Sequence, residues 1–164
     1  LPVIGEDGRL LGALTRLNVI LEDRELLKEP VNKFLWHPQT TEPGTKVMQV
    51  LEKIRRSGIR GRELLVLERG EPIGVIGEKE AALLLFKLLS SDEIRHVSTV
   101  LRRLLVFDVM RRFTEVVGEG DSVKEAVKLM ASMNVSMLPV VGGDTLLGVV
   151  DRDTLFERVL GYGR

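Results

Sequence analysis

Three times along the chain a short aliphatic run, a polar Gly-containing turn and a second aliphatic run recur in the same order, and this repeat narrows the possible folds most. Leu1-Pro2-Val3-Ile4 leads through Gly5-Glu6-Asp7-Gly8 to Leu11-Gly12-Ala13-Leu14. Leu64-Leu65-Val66-Leu67 leads through Glu68-Arg69-Gly70-Glu71 to Ile73-Gly74-Val75-Ile76, and Leu138-Pro139-Val140-Val141 through Gly142-Gly143-Asp144 to Leu147-Gly148-Val149-Val150. The leading Leu and the Gly are ten residues apart in the second and third copies (64 to 74, 138 to 148) and eleven in the first (1 to 12). Each copy reads as a β-hairpin, because two short aliphatic runs flank a turn of suitable length and composition.

Helical spacing of apolar residues follows every hairpin, over Arg16 to Lys28, Glu78 to Leu89 and Arg152 to Leu160. A further helix precedes the second hairpin (Val47, Val50, Leu51, Ile54) and the third (Val123, Ala126, Val127, Met130), the latter marked by the capping-box spacing of Ser122 and Glu125. Short extended segments come before these helices, at Gln39-Thr40-Thr41 and Thr114-Glu115-Val116-Val117. The repeat is thus strand, helix, strand, strand, helix, an α/β unit. It divides the chain into a half unit at 1–30, a complete unit at 31–91, a helical linker at 92–105 and a complete unit at 106–164. A unit of about 55 residues has too small a core to be comfortable alone, so the units are expected to pack in pairs. The stretch Ala81 to Leu89 is apolar nearly all round, which asks for cover on both sides.

With 164 residues, 44% apolar and 29% charged, the chain holds enough core-forming material to exclude disorder and fibrous folds. Its 24 basic and 24 acidic residues cancel, which argues against a nucleic-acid binder. The cationic stretch Lys53, Arg55, Arg56, Arg60, Arg62 suits a helix C-terminus, and the 4% aromatic content offers no stacking platform. Absence of cysteine removes disulfides, thiolate metal sites and thiol nucleophiles, and two separated histidines make a histidine metal site improbable. No nucleophile motif, P-loop or Gly-x-Gly-x-x-Gly is present, so an enzyme is not expected, nor a cofactor or metal. No apolar run approaches the roughly 20 residues of a membrane span, and a cytoplasmic location is expected. The chain opens at Leu1-Pro2 with no initiator Met, so upstream residues are expected to be missing.

The hairpins of type Leu-Pro-Val-Val, turn, Leu-Gly-Val-Val, with the polar helix start that follows and the element Val106-Phe107-Asp108-Val109-Met110, resemble the cystathionine β-synthase-type (CBS) domain. Members of that family usually occur as tandem pairs called Bateman modules, and the resemblance covers nearly the whole chain. It implies repeated β-α-β-β-α units packed in pairs. It also implies a regulatory module that senses an adenosine-containing ligand, AMP, ADP, ATP or S-adenosylmethionine, in the cleft between paired units. Dimerisation through the CBS helices is the implied assembly. A structural or oligomerisation module with vacant clefts, or the regulatory tail of a larger protein, is the competing reading.

In the family's pattern the first strand and the residues just before Pro-Val contact the base, which carries over to Thr41 and Val116, to Ile59, and to Val135, Met137 and Pro139. A hydroxyl at the end of the third strand meets phosphate and an Asp three residues later holds the ribose; the corresponding pairs are Thr15 and Asn18, Gly77 and Glu80, and Asp151 and Thr154. Arg60 or Arg62 is expected to reach a ligand phosphate, unless the basic stretch serves only as cations at a helix C-terminus. Asp151 departs from the pattern by putting negative charge where a phosphate would sit, so a nucleoside, a cationic sulfonium ligand or an empty site fits better there. Thr15 and Asp151 are also good helix N-caps in any fold, and the sequence leaves both roles open.

Overall fold

The structure, a computed structural model, describes residues 1–56, 63–90, 97–113 and 115–162. In chain order the elements are β1 (Pro2–Ile4), β2 (Leu10–Ala13), α1 (Arg16–Glu22), two 3-10 turns (Leu26–Lys28 and Val31–Phe34), β3 (Thr40–Thr41), α2 (Val47–Arg56), β4 (Glu63–Glu68), β5 (Glu71–Gly77), α3 (Glu78–Leu89), α4 (Val97–Arg103), α5 (Val106–Val109), β6 (Arg111–Arg112), β7 (Val117–Gly118), α6 (Val123–Met133), β8 (Met137–Gly142), β9 (Thr145–Asp151) and α7 (Arg152–Val159). The fold is mixed α/β. Two compact units form, one from Leu1–Trp36 with Glu115–Arg164 and one from His37–Thr114.

In the His37–Thr114 unit the sheet order is β3-β4-β5-β6, with β3 parallel to β4 and the remaining pairs antiparallel. The β4–β5 turn is two residues long, and Arg69 (φ 54°) and Gly70 (φ 91°) both take the positive φ that such a turn requires. One face of α2 enters the core through Val47, Val50 and Ile54, which pack with Leu64, Val66 and Ile76 from the hairpin and with Val106 and Met110. Gly74 has a specific reason to lack a side chain, since a Cβ there would lie 2.4 Å from the carbonyl oxygen of Arg111 on β6. A glycine inside a strand commonly marks such a close backbone approach.

The other unit has the sheet β7-β8-β9 and the separate hairpin β1-β2. Val123, Ala126, Val127 and Met130 on α6 are buried, as are Leu138, Val140, Val149 and Val150 on the hairpin. Ser122 caps α6 by accepting from the Glu125 backbone, while the Glu125 carboxylate accepts from the Ser122 N–H at 2.9 Å. That interaction holds the Glu125 carboxyl below its ordinary value. The helical pattern over Arg16 to Lys28 is interrupted at Asp23, whose carboxylate accepts from the Leu26 N–H at 3.0 Å and starts a 3-10 turn instead. A short polar residue offering its own acceptor competes with helix continuation in this way. The β1–β2 hairpin exposes Leu1, Val3, Ile4, Leu10 and Leu11.

The compact units are not the sequence repeats themselves, because the leading segments are exchanged. Val31 N–H donates to Asp121 and Val123 N–H to Glu29, both at 2.9 Å, and Trp36 pairs with Val149 through N–H to carbonyl bonds of 3.1 and 2.9 Å. In the His37–Thr114 unit, Val106 N–H donates to Thr45 at 2.9 Å, Val47 N–H donates to Leu104 at 3.0 Å, and Arg111 lies opposite Val75. Val31 corresponds to Val106 and Trp36 to Arg111, so each long repeat lends its first residues to the other's sheet. Both Val31 and Val106 are fully buried.

Candidate functional site

Each hairpin's second strand runs directly into a helix, and the resemblance placed its polar pairs at these junctions. In the unit containing residues 115–164, β8 and β9 are in register with Met137 opposite Asp151 and Pro139 opposite Val149. Val135, Met137 and Pro139 are buried beside the point where β9 ends. Asp151 caps α7, its Oδ1 accepting from the Thr154 N–H at 2.6 Å, and the Arg152 N–H donates to the Ser136 carbonyl at 2.9 Å. Burial raises the Asp151 carboxyl above its ordinary value, opposed in part by the hydrogen bonding of Thr154.

Trp36 arrives at this junction on the exchanged segment. Its indole Nε1 is buried and makes no hydrogen bond of regular geometry, although it lies close enough to Asp151 to favour the charged carboxylate. Arg152 Nε is likewise buried without a partner. The start of α1 lies beside the start of α7: Arg16 forms an ion pair with Asp153 and sits 5.7 Å from the centre of the Phe156 ring. Thr15 and Asn18 are both exposed and turned on each other, with the Thr15 N–H donating to Asn18 Oδ1 at 2.9 Å and the Asn18 N–H to Thr15 Oγ1 at 3.3 Å. Thr15 therefore serves as a helix cap.

At the matching junction in the other unit, Gly77 opens α3 and its N–H donates to Glu80 Oε2 at 3.1 Å. The opposite oxygen, Oε1, is 3.1 Å from Arg111 Nη2, and the Glu80 side chain is 5% exposed against 20% for Arg111. Arg111 stands where Trp36 stands in the first unit, so one position carries an indole N–H and the other a guanidinium.

Of two cavities, one touches the β9–α7 junction at Thr154, and the other lies at the turn end of the β4–β5 hairpin, away from Gly77 and Glu80. The first, of about 630 Å³, is bounded by Asp23, Leu26, Lys33, Phe34, Thr154 and Arg158, among others. A second of about 560 Å³ is lined by Thr40, Thr41, Thr45, Lys53 and Arg69 among others, with Lys53 Nζ donating to the Thr40 carbonyl at 2.9 Å. Both volumes fall in the range of small-molecule sites. The structure thus brings Val135, Met137, Pro139, Asp151 and Thr154 together and joins Gly77 to Glu80. Thr41 lies on the second cavity, whereas Val116 is exposed. Ile59, Arg60 and Arg62 lie outside the described residues. Neither Trp36 nor Arg111 stands out in the sequence, because the segments Val31 to Trp36 and Val106 to Arg111 share little beyond their leading Val. Among the described residues no three His, Cys, Asp or Glu side chains form a metal-binding group, and no helix is long and apolar enough to cross a membrane.

Comparison with known proteins agrees with this architecture. Residues 106–161 match the model of the CBS domain. An uncharacterized protein of Methanopyrus kandleri is 31% identical over 119 residues, covering 72% of this chain and 56% of its own length. MJ1225 of Methanocaldococcus jannaschii, described as a candidate archaeal homolog of g-AMPK, is 23% identical over 151 residues, covering 85% of this chain and 51% of its own length. Its crystal structure superposes with a TM-score of 0.69 over 96% of this chain and 58% of that one. The structure of CBSX2 in complex with AMP superposes with a TM-score of 0.61 at 21% identity, covering 82% of this chain and 98% of that one. The chain spans about half the length of the curated relatives it matches. Residues 106–161 thus belong to the CBS-domain family, and the recurring hairpins and the shared fold extend that architecture to the rest of the chain.

Proposed function

We propose that this chain is a regulatory module that binds an adenosine-containing ligand, AMP, ADP, ATP or S-adenosylmethionine, at the strand-to-helix junctions and is not itself an enzyme. The observation that carries the reading is the grouping of Val135, Met137, Asp151 and Thr154 at the β9–α7 junction, with the buried Trp36 indole N–H close to the Asp151 carboxylate. Apolar residues next to a few convergent polar groups form the usual composition of a small-molecule site. A structural neighbour crystallised with AMP adds support. We further propose the division into a half unit at 1–30, complete units at 31–91 and 106–164 and a linker between them, a cytoplasmic location, and no role for nucleic acid or membrane.

Assembly as a homodimer through the CBS helices is part of the proposal. The corresponding helices α1 and α7 pack against one another, while α3 exposes Leu83, Leu85, Phe86 and Leu89. A second reading, a structural module with vacant clefts, is favoured by the Glu80–Arg111 pair, which already satisfies the polar groups at one junction. Isothermal titration calorimetry with adenosine, AMP, ADP, ATP and S-adenosylmethionine separates the two. Saturable binding of one compound in the micromolar range or tighter supports the sensor, and no heat with any of them supports the structural module.

A further inference from the structure

We propose that the cavity at the turn end of the β4–β5 hairpin is a second binding site, separate from the strand-to-helix junctions, and that it takes the phosphoryl group of a small phosphorylated molecule. Its volume of about 560 Å³ leaves room for such a compound. Donors dominate its polar lining: the Thr41 and Thr45 hydroxyls, the Gln49 amide, the Lys53 ammonium and the Arg69 guanidinium. Among the described residues the side chains of Thr41, Thr45, Gln49 and Arg69 take no hydrogen-bond or ion-pair partner, so these donors are open to a ligand. Lys53 Nζ donates to the Thr40 carbonyl at 2.9 Å, which holds the ammonium at the cavity wall. A phosphoryl group, whose several oxygens each accept from more than one donor, suits two cations among hydroxyls and an amide. Glu42 is the carboxylate of the lining, and it suits a hydroxyl elsewhere on the same ligand.

The chain's own repeat shows that the fold does not require this lining. Thr41 pairs with Val66 where Val117 pairs with Val140, and α2 begins at Val47 where α6 begins at Val123, so the two copies align without ambiguity. At the five donor positions the third copy has Val117 for Thr41, Asp121 for Thr45, Glu125 for Gln49, Leu129 for Lys53 and Gly143 for Arg69. Both cations are gone, and the two carboxylates that appear are turned on their own backbone, Asp121 accepting from the Gly118 N–H at 2.8 Å and Glu125 from the Ser122 N–H at 2.9 Å. Arg69 is the sharpest contrast. It holds φ 54°, a left-handed conformation that favours glycine, and Gly143 at the matching turn position holds φ 59°. A side chain is kept where glycine fits more easily, and that side chain lines the cavity.

The test is NMR titration of the isotope-labelled chain with inorganic phosphate and with glycerol phosphate at constant ionic strength, chloride serving as the control anion. The expected result is a saturable shift of the Thr45, Gln49 and Gly70 amides with both phosphates and not with chloride, glycerol phosphate binding the more tightly, and no displacement by adenosine. Arg69→Gly and Lys53→Leu install the third copy's residues, and each should weaken binding roughly tenfold or more, as loss of a hydrogen bond to a charged group does. Arg69→Gly suits the positive φ of the turn, so its amide spectrum should show an intact fold. No saturable shift at millimolar phosphate, shifts confined to the strand-to-helix junctions, or unchanged affinity in a folded Arg69→Gly overturns the proposal and leaves the adenosine reading standing. Inorganic phosphate bound more tightly than glycerol phosphate overturns the assignment to a phosphorylated molecule.

Discussion

Arg111 reaches Glu80 across the seam between β6 and the first turn of α3, 3.1 Å from nitrogen to oxygen, with the carboxylate almost wholly withdrawn from water. The pair fastens the exchanged segment to the helix that follows the receiving hairpin. Removing one partner of a buried ion pair leaves the other charge uncompensated and costs about 3 kcal/mol or more. Glu80→Ala is therefore expected to lower unfolding free energy by about that amount in urea titration, and Glu80→Leu with Arg111→Met to recover most of it. A loss below about 1 kcal/mol for the single variant would place the pair among weak surface bridges instead.

Gly74 is the backbone counterpart of that fastening. Because a Cβ would stand 2.4 Å from the Arg111 carbonyl oxygen, Gly74→Ala must push β6 from the sheet edge. Overpacking of this kind costs about 1–3 kcal/mol. Hydrogen exchange should show faster exchange of the Phe113 amide, which donates to the Ile73 carbonyl at 3.1 Å in the native sheet. Unchanged protection at Phe113 would contradict the exchange of segments described above.

Asp151 makes stability depend on pH in a defined sense. Its carboxyl titrates above the ordinary value of 3.8 in the folded chain, chiefly because of burial. Between those two values the folded state holds more protons than the unfolded, so this group's contribution falls as pH rises through the interval and stays low above it. Asn is a comparable N-cap, so Asp151→Asn should melt at or above wild type at pH 7. That advantage over wild type should disappear at pH values below the ordinary carboxylate range, where Asp151 is protonated in both folded and unfolded chains. A variant less stable at pH 7 than at low pH, relative to wild type, reverses the sign and refutes the assignment.

Phe86 and Leu89 lie on the exposed face of α3 at 69% and 68% exposure, where an assembly through helices would bury them. Phe86→Glu should shift the mass from dimer to monomer in size-exclusion chromatography with light scattering while leaving the melting temperature of the monomer intact. A monomeric wild type would count against the proposed dimer.

Much of this was legible because local and global signals agree. The hairpin at Leu64 to Ile76 was visible from its β-branched runs and from Arg69-Gly70, whose positive φ angles the turn demands. The α6 start was visible in Ser122 and Glu125, whose reciprocal hydrogen bonds are made entirely within one turn. Long-range relations were hidden. Nothing in the immediate neighbourhood of Trp36 or Arg111 shows that each pairs with a hairpin from the other repeat, because the register is set by residues more than 35 positions away. The two candidate cavities were hidden for the same reason. Gly74 carried a clue, since a glycine inside an aliphatic strand points to a backbone lying close against it. Thr15 shows the limit of a motif: its hydroxyl is compatible with a phosphate role and with capping, and the Thr15–Asn18 bonds show the capping geometry.

The central claim, that an adenosine-containing molecule occupies this chain, is tested most directly by native mass spectrometry of the gently purified protein, with release and identification of any bound compound. The account predicts a bound adenosine compound released on denaturation and restored at defined stoichiometry when added back. A protein that carries nothing, and gains no mass when adenosine, AMP, ADP, ATP and S-adenosylmethionine are offered at millimolar concentration, would contradict it.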